Sequence, residues 1–370
     1  TYRMRLVILI LLSIETMVPA LSIIEPSTIT WPAIITPLAF DIDSTKLCCM
    51  INKSNRIFVI HIILSSSYSI YNMIMNHLRL ILYSTRPRQW VKNMFLFAAL
   101  IFDRKLFVIP YLTKTLYGFI LLTLVSGAVY ITNDILDLEQ DKLHPVKQLR
   151  PLPSGQLSKQ IAVGMAILLP LVALPLSFLL NPWFGTILLI YWLQNILYSI
   201  WLKHIVILDI LLISLGFALR VAAGAILIDV EQGPIGSPWI YMCVGFGALL
   251  VVLGKRRNEL NLLSDHAHNH RAVLASYNHK FLDILIYCVS TSTIISYSFY
   301  TFNATYHQPK NHSMMLTIPL VVYGVFRYLY LVHVKGQGGT PEQLVFKDRP
   351  LLLSIILWII TATVLRYNYW

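Results

Sequence analysis

The sequence predicts an all-α, polytopic membrane protein, and three observations carry that prediction. Of the 370 residues, 56% are hydrophobic and only 12% charged, about half the charged share of a soluble domain and too few to coat a globule with polar surface. A mean hydropathy of +0.66 is spread over several separate apolar stretches, each long enough to cross roughly 30 Å of hydrocarbon as a helix. These stretches lack the ten-residue alternation of a membrane barrel, so helices must satisfy the backbone in lipid.

Apolar runs broken by charge, Gly or Pro place nine spans near residues 91–102, 115–133, 161–180, 183–202, 206–228, 238–254, 281–302, 313–332 and 351–367. The first is short, and an earlier start near Leu78–Tyr83 is broken by Arg86 and Pro87. With the segment before the first span on the cytoplasmic side, the inner connections hold sixteen Lys and Arg and the outer ones five. That asymmetry supports both the parity and an inner-membrane orientation, because cytoplasmic loops carry the basic excess. It also accounts for the net charge of +12 without nucleic acid as a partner. Arg220 and Arg327 remain inside spans, where a cation is costly and should face the bundle interior or reach an interface. Of the four cysteines, Cys48 and Cys49 precede the spans, while Cys243 and Cys288 fall inside them as small hydrophobes; no CxxC spacing implies a disulfide framework or zinc site.

Residues 1–72 read differently from the rest. Two short apolar runs, at 6–13 and 57–64, flank a Thr, Pro and Ser mixture without sustained period. They are read as an N-terminal extension not needed for function, with residues 73–370 as the transmembrane domain. A signal-like segment at Met4–Ala20 and an extra membrane anchor are the competing readings.

At the end of the second span the chain runs Asn133, Asp134, Ile135, Leu136, Asp137, Leu138, Glu139, Gln140, Asp141. At 100° per residue, Asp134, Asp137 and Asp141 share an arc of about 60° on one helix face. Clustered carboxylates repel unless neutralised, and hard oxygen donors without His or Cys favour Mg²⁺, which keeps positions open for phosphate oxygens. Downstream come His144, Pro145, Lys147, Arg150, Pro151, Pro153, Ser154 and Gly155. Pro145 stops the helix and the Pro and Gly set makes a tight loop that returns Lys147 and Arg150 over the acids. Metal-binding carboxylates beside loop cations suit a metal-bound diphosphate.

A second patch, Gly254, Lys255, Arg256, Arg257, Asn258, Glu259, ends the sixth span on the same side. It is either an ion pair at i, i+3 or i, i+4, or a second half of the diphosphate site. Tyr198, Ser199 and Lys203 end the fourth span and Asp209 opens the fifth, again at that face. The entry segment Arg86, Pro87, Arg88, Gln89, Trp90, Val91, Lys92, Asn93 fits either an interfacial anchor or a lipid-phosphate contact. The run His266, His268, His270 reads as solvated loop.

From about Leu78 onward the chain resembles the UbiA superfamily of intramembrane prenyltransferases, through NDILDLEQD at 133–141, RPLPSG at 150–155 and YSIWLK at 198–203. RPRQWVKN at 86–93 and the HPxKxxRP pattern at 144–151 resemble its decaprenyl-phosphate phosphoribosyltransferase branch. Members using a prenyl diphosphate carry a second DxxxD motif after the sixth span, where this chain has KRRNEL. The resemblance implies a nine-helix bundle open to the cytoplasm, an apolar groove for a polyprenyl chain, and Mg²⁺-dependent transfer of 5-phosphoribosyl from phosphoribosyl diphosphate to polyprenyl phosphate. By position it implies Asp134, Asp137 and Asp141 as metal and diphosphate ligands oriented by Asn133. Lys147, Arg150, Lys203, Lys255 and Arg256 would bind phosphates with Tyr198 beside them, Glu259 would be the second acidic group, and Arg88 and Lys92 would meet the lipid phosphate. The competing functions are prenyl transfer from a prenyl diphosphate to an aromatic or lipid acceptor, and a transporter using the acidic face as an ion path. The sequence leaves homo-oligomerisation open.

Overall fold

A computed structural model describes residues 56–228, 238–262, 274, 276–303, 312–339 and 341–367. Cys48, Cys49, Arg271, Lys310, the 266–270 histidines and the segment Met4–Ala20 lie outside the described residues. The chain divides into two units, Thr1–Asn72 and Met73–Trp370. Helix α1 is Arg56–Ser84, a long helix where the sequence shows only the short apolar run at 57–64 and the stretch Leu78–Tyr83.

Helix α2 is Ala98–Phe102, α3 Ile109–Leu136, α4 Leu138–Leu143, α5 Lys159–Leu180, α6 Pro182–Ile200 and α7 Leu208–Leu227. They are followed by α8 Pro238–Leu262, α9 His279–Asn303, α10 Ile318–His333, α11 Pro341–Lys347 and α12 Arg349–Tyr367. Eight of the described helices are long and apolar enough to cross a membrane, and they match the last eight expected spans. This is a multi-pass, all-helical membrane protein.

The first expected span, 91–102, takes another form. Residues Pro87–Phe97 are a 3-10 helix that passes into the short α2. Such a long 3-10 run is uncommon, and its rise of about 2.0 Å per residue lets few residues cover a long path. One end meets the acidic end of α3 through an Arg86–Asp134 ion pair. The other end offers the Phe102 carbonyl to Arg366 at the end of α12, at 2.6 and 2.9 Å. The segment therefore crosses the bundle from end to end. Its backbone is seated against α7 at Gly224, where a Cβ would stand 2.0 Å from the Leu96 carbonyl oxygen, so only glycine admits the approach. Asn93 fixes it sideways, donating to Thr123 and Ser126 of α3 at 3.1 Å each.

Sequential long helices pack as neighbours, α3 on α5, α5 on α6, α6 on α7, α7 on α8 and α8 on α9, with α10 against α9 and α12. One core joins Leu96, Leu122, Val125, Phe184, Leu188 and Leu227; another joins Leu253, Leu282, Ile286, Leu331 and Leu351. The outward faces are apolar too, as at Ile167, Leu168, Leu171 and Leu179 of α5, which suits contact with lipid tails. Pro170 and Pro175 sit within α5, a placement membrane helices tolerate.

Both arginines expected inside spans find partners. Arg220 is buried and donates to Asn93 Oδ1 at 3.0 Å, Gly216 O at 2.7 Å and Tyr191 Oη at 2.7 Å, so it faces the bundle interior. Arg327 makes a bidentate pair with Asp348 at 2.8 and 3.1 Å.

Candidate active site

The ends of α3, α6, α8 and α10 and the starts of α5, α7, α9 and α12 meet at one end of the bundle. Polar side chains tie them together: Lys203 reaches Asp137, Arg256 reaches Asp209, and Arg257 and His333 share Asp283.

The acidic motif does not stay on one helix. Helix α3 stops at Leu136, Asp137 takes φ −95° and ψ 12°, and α4 starts at Leu138. The single-face arc expected for the three carboxylates is thereby split in two directions. Asp134 and Asp141, both buried, converge on the same guanidinium nitrogen: Arg150 Nη1 donates to Asp134 Oδ1 at 2.9 Å and to Asp141 Oδ2 at 2.8 Å. Asp141 Oδ1 accepts from Lys147 Nζ at 2.9 Å. Asp137 turns away and accepts from Lys203 Nζ at 2.5 Å. Glu139 pairs with Lys142 in solvent, an arrangement worth little energetically.

The loop that supplies the cations is built as its prolines and glycine suggested. His144 Nδ1 accepts the backbone N–H groups of Val146 and Lys147 at 3.2 and 3.3 Å, closing the turn that aims Lys147. Ser154 N donates to Arg150 O at 2.9 Å, and Gly155 takes φ 78°, a left-handed conformation natural to glycine. Leu152 and Leu157 are buried against Ile131 and Ala162, which presses the loop onto α3 and α5 and holds Arg150 over the acids. Burial and then the neighbouring Arg86 pull the Arg150 guanidinium below its ordinary value, while Asp134 and Asp141 hold it up. It stays a guanidinium cation, the most basic side chain there is.

Arg86 is the site residue that sequence reasoning missed as a partner. It holds a left-handed backbone, φ 56°, just before Pro87, pairs with Asp134 and lies 5.0 Å from the centre of the Tyr130 ring. The Arg-Pro step at the span entry was visible, but its carboxylate is 48 residues away. Arg88, expected beside the lipid phosphate, is exposed; Lys92 is half-buried and donates to Gln89 at 2.8 Å. Asn133 is half-buried beside Asp134.

The second patch resolves into a sealed cluster. Arg256 is 2% exposed and donates to Asp209 Oδ2 at 3.1 Å and to Glu259 Oε2 at 2.7 Å. Asp209, 0% exposed, also accepts from Tyr277 Oη at 2.7 Å. Arg256 and Glu259 therefore form the i, i+3 ion pair, with Asp209 as an unforeseen third member, and Arg256 is not held open toward the mouth. Tyr198 is buried within electrostatic reach of Arg256, and Lys255 is exposed.

Among the described residues no three His, Cys, Asp or Glu side chains stand together as a ready metal cage. The donor chemistry still suits Mg²⁺. Asp134 and Asp141 present hard oxygens to one point, now held by a guanidinium nitrogen, and Mg²⁺ is ordinarily held by one or two carboxylates plus water and phosphate oxygens.

Comparison with known proteins follows the same lines. Residues 93–347 match the UbiA prenyltransferase family. A decaprenyl-phosphate phosphoribosyltransferase of Mycobacterium tuberculosis is 28% identical over 285 residues, covering 75% of this chain and 91% of that protein. One from Corynebacterium glutamicum is 28% identical over 292 residues, covering 76% and 85%. Among solved structures, a UbiA homologue from Archaeoglobus fulgidus bound to GPP and Mg²⁺ superposes with a TM-score of 0.58 at 17% identity, over 79% of this chain and all of that one.

Proposed function

The chain belongs to the UbiA prenyltransferase family and is a membrane-embedded enzyme, and on that premise we propose that it transfers 5-phosphoribosyl from phosphoribosyl diphosphate to a polyprenyl phosphate. The diphosphate leaves, and the mouth of the bundle faces the cytoplasm, where a soluble sugar diphosphate is available. One observation carries the choice of donor. Among the described residues the mouth offers an open acid and cation cluster at Asp134, Asp141, Arg150 and Lys147, while Asp209 and Glu259 of the second patch both pair with Arg256. Among the described residues the second patch thus presents its acids to Arg256 rather than as a second carboxylate set for a prenyl diphosphate. The relatives named as decaprenyl-phosphate phosphoribosyltransferases, matched over three quarters of the chain, support the same reading.

Asp134 and Asp141 would hold Mg²⁺, which supplies neutralisation of the leaving diphosphate. The protein's own part follows from its ion pairs. Arg86, Arg150, Lys147 and Lys203 rest on carboxylates without substrate and exchange onto phosphate oxygens when the diphosphate enters. Charge-assisted bonds of this kind are the strong ones, and planar Arg150 can grip two oxygens at once. No residue need act as general base, because a phosphate monoester with a second pKa of about 6 is already an anionic nucleophile near neutral pH. Acceleration then comes from positioning two anions together and stabilising the departing charge.

The test is direct. Membranes carrying the protein, given Mg²⁺, polyprenyl phosphate and radiolabelled phosphoribosyl diphosphate, are expected to move label into the lipid fraction. Label entering lipid only from a prenyl diphosphate with an aromatic or lipid acceptor would overturn the proposal.

A further inference from the structure

Lys203 sits on a short 3-10 turn, Leu202–His204, and nothing in that turn explains how its ammonium is held on Asp137, which belongs to another element. The explanation lies four residues on. Ile207 has φ 69° and ψ −44°, close to the rare and strained γ-turn geometry that a β-branched residue avoids. Such a conformation persists only when its surroundings impose it. Here the Ile207 N–H donates to the Tyr277 hydroxyl at 2.7 Å. The same hydroxyl donates to Asp209 Oδ1 at 2.7 Å, and Asp209 Oδ2 is held by Arg256. Burial and then its bond to Asp209 push the Tyr277 phenol above its ordinary value, so the hydroxyl keeps the proton it donates.

We infer that Tyr277 is a positioning residue: through the Ile207 backbone it sets the 202–207 turn and so holds the Lys203 ammonium on Asp137. One hydroxyl, acting as donor and acceptor at once, connects the turn after α6 to the start of α7 and, through Asp209, to the end of α8. The sealed cluster is in this way the anchor of the Lys203–Asp137 pair beside the open one. The consequence for transfer rests on the function proposed above; the placement of Lys203 does not.

The experiment uses the full chain in detergent and reads Lys203 by acylation with acetic anhydride and mass spectrometry, with exposed Lys142 as internal reference. Tyr277→Phe removes the hydroxyl and is expected to raise Lys203 labelling about five- to tenfold. Adding Ile207→Gly should return labelling toward the wild-type level, because glycine takes a positive φ without support. In the transfer assay Tyr277→Phe is expected to lower kcat/KM about tenfold, chiefly through KM for the diphosphate. In a Lys203→Met background the same change should cost less than twofold, the non-additivity of residues acting as one unit. Unchanged labelling in folded Tyr277→Phe, or an equal loss of kcat/KM in both backgrounds, would overturn the assignment. If Tyr277→Phe cannot be recovered folded, recovery by Ile207→Gly supports it and failure to recover overturns it. Altered labelling in a protein that transfers no phosphoribosyl would uphold the positioning role and overturn the proposed function alone.

Discussion

Two clusters of the same residue types lie at one end of the bundle and are built in opposite ways. In the first, Asp134 and Asp141 are buried beneath Arg150, Arg86 and Lys147, whose side chains remain 23–37% exposed. In the second, Arg256 and Asp209 are both closed off from solvent, and only Glu259 is partly open. An anion arriving from water can exchange with a cation that is already partly in water. It cannot reach one whose desolvation has been completed by a neighbouring carboxylate. The difference separates the cluster that can take part in chemistry from the cluster that holds the bundle together.

The sharpest way to break this contrast is to remove an acid from each side. Asp134→Ala is expected to lower transfer on the order of 100- to 1,000-fold, the scale seen when a group stabilising developing charge is lost, with the melting temperature in detergent little changed. Asp209→Ala should act mainly on stability. Leaving Arg256 with Glu259 alone and the Tyr277 hydroxyl without its acceptor costs about 1–3 kcal/mol, visible as a lowered melting temperature and yield, with activity per folded molecule falling no further than the roughly tenfold expected of Tyr277→Phe. A melting loss for Asp134→Ala as large as for Asp209→Ala would erase the distinction. A smaller effect tests exchangeability itself: Lys147→Ala should raise KM for the diphosphate about tenfold, the worth of one charge-assisted bond of roughly 1.5 kcal/mol, leaving kcat within a factor of two.

A pH experiment addresses a third, structural pair. The hydrogen bonds from Arg327 hold Asp348 below the ordinary carboxylate range. A depressed carboxylate adds stability that is complete above its unfolded value of about 3.9 and is lost as pH falls through the folded one. Melting temperature is therefore expected to drop below about pH 4 in the wild type, and less steeply in Asp348→Asn. The smallest expected effect is that of deleting residues 1–72, which should leave transfer by the second unit unchanged; a clear loss would make that segment a working part.

Much of the first cluster was legible. The 134, 137 and 141 spacing, the Pro and Gly loop and its two cations are local features, and local geometry brought Lys147 and Arg150 onto Asp141. The second cluster was legible only within α8, as the Arg256–Glu259 spacing of three. Its anchor was not, because Asp209 and Tyr277 are 68 residues apart and their contact exists only once α7 has packed beside the start of α9. Arg86 was seen, but as part of an interfacial anchor or a lipid-phosphate contact, for the same reason. The arc argument for three aspartates assumed one unbroken helix, and the break at Asp137 sent that carboxylate to Lys203 instead.

The sequence by itself determined the membrane class, the last eight spans and the gathering of charge at one end, because hydropathy and the placement of Lys and Arg are properties of composition along the chain. It also determined which residue types would meet there. Only the tertiary structure decided which cations stay exchangeable and which are sealed, and which strained turn carries Lys203. Those outcomes depend on burial and on contacts between distant helices, and neither is written in any local run of residues.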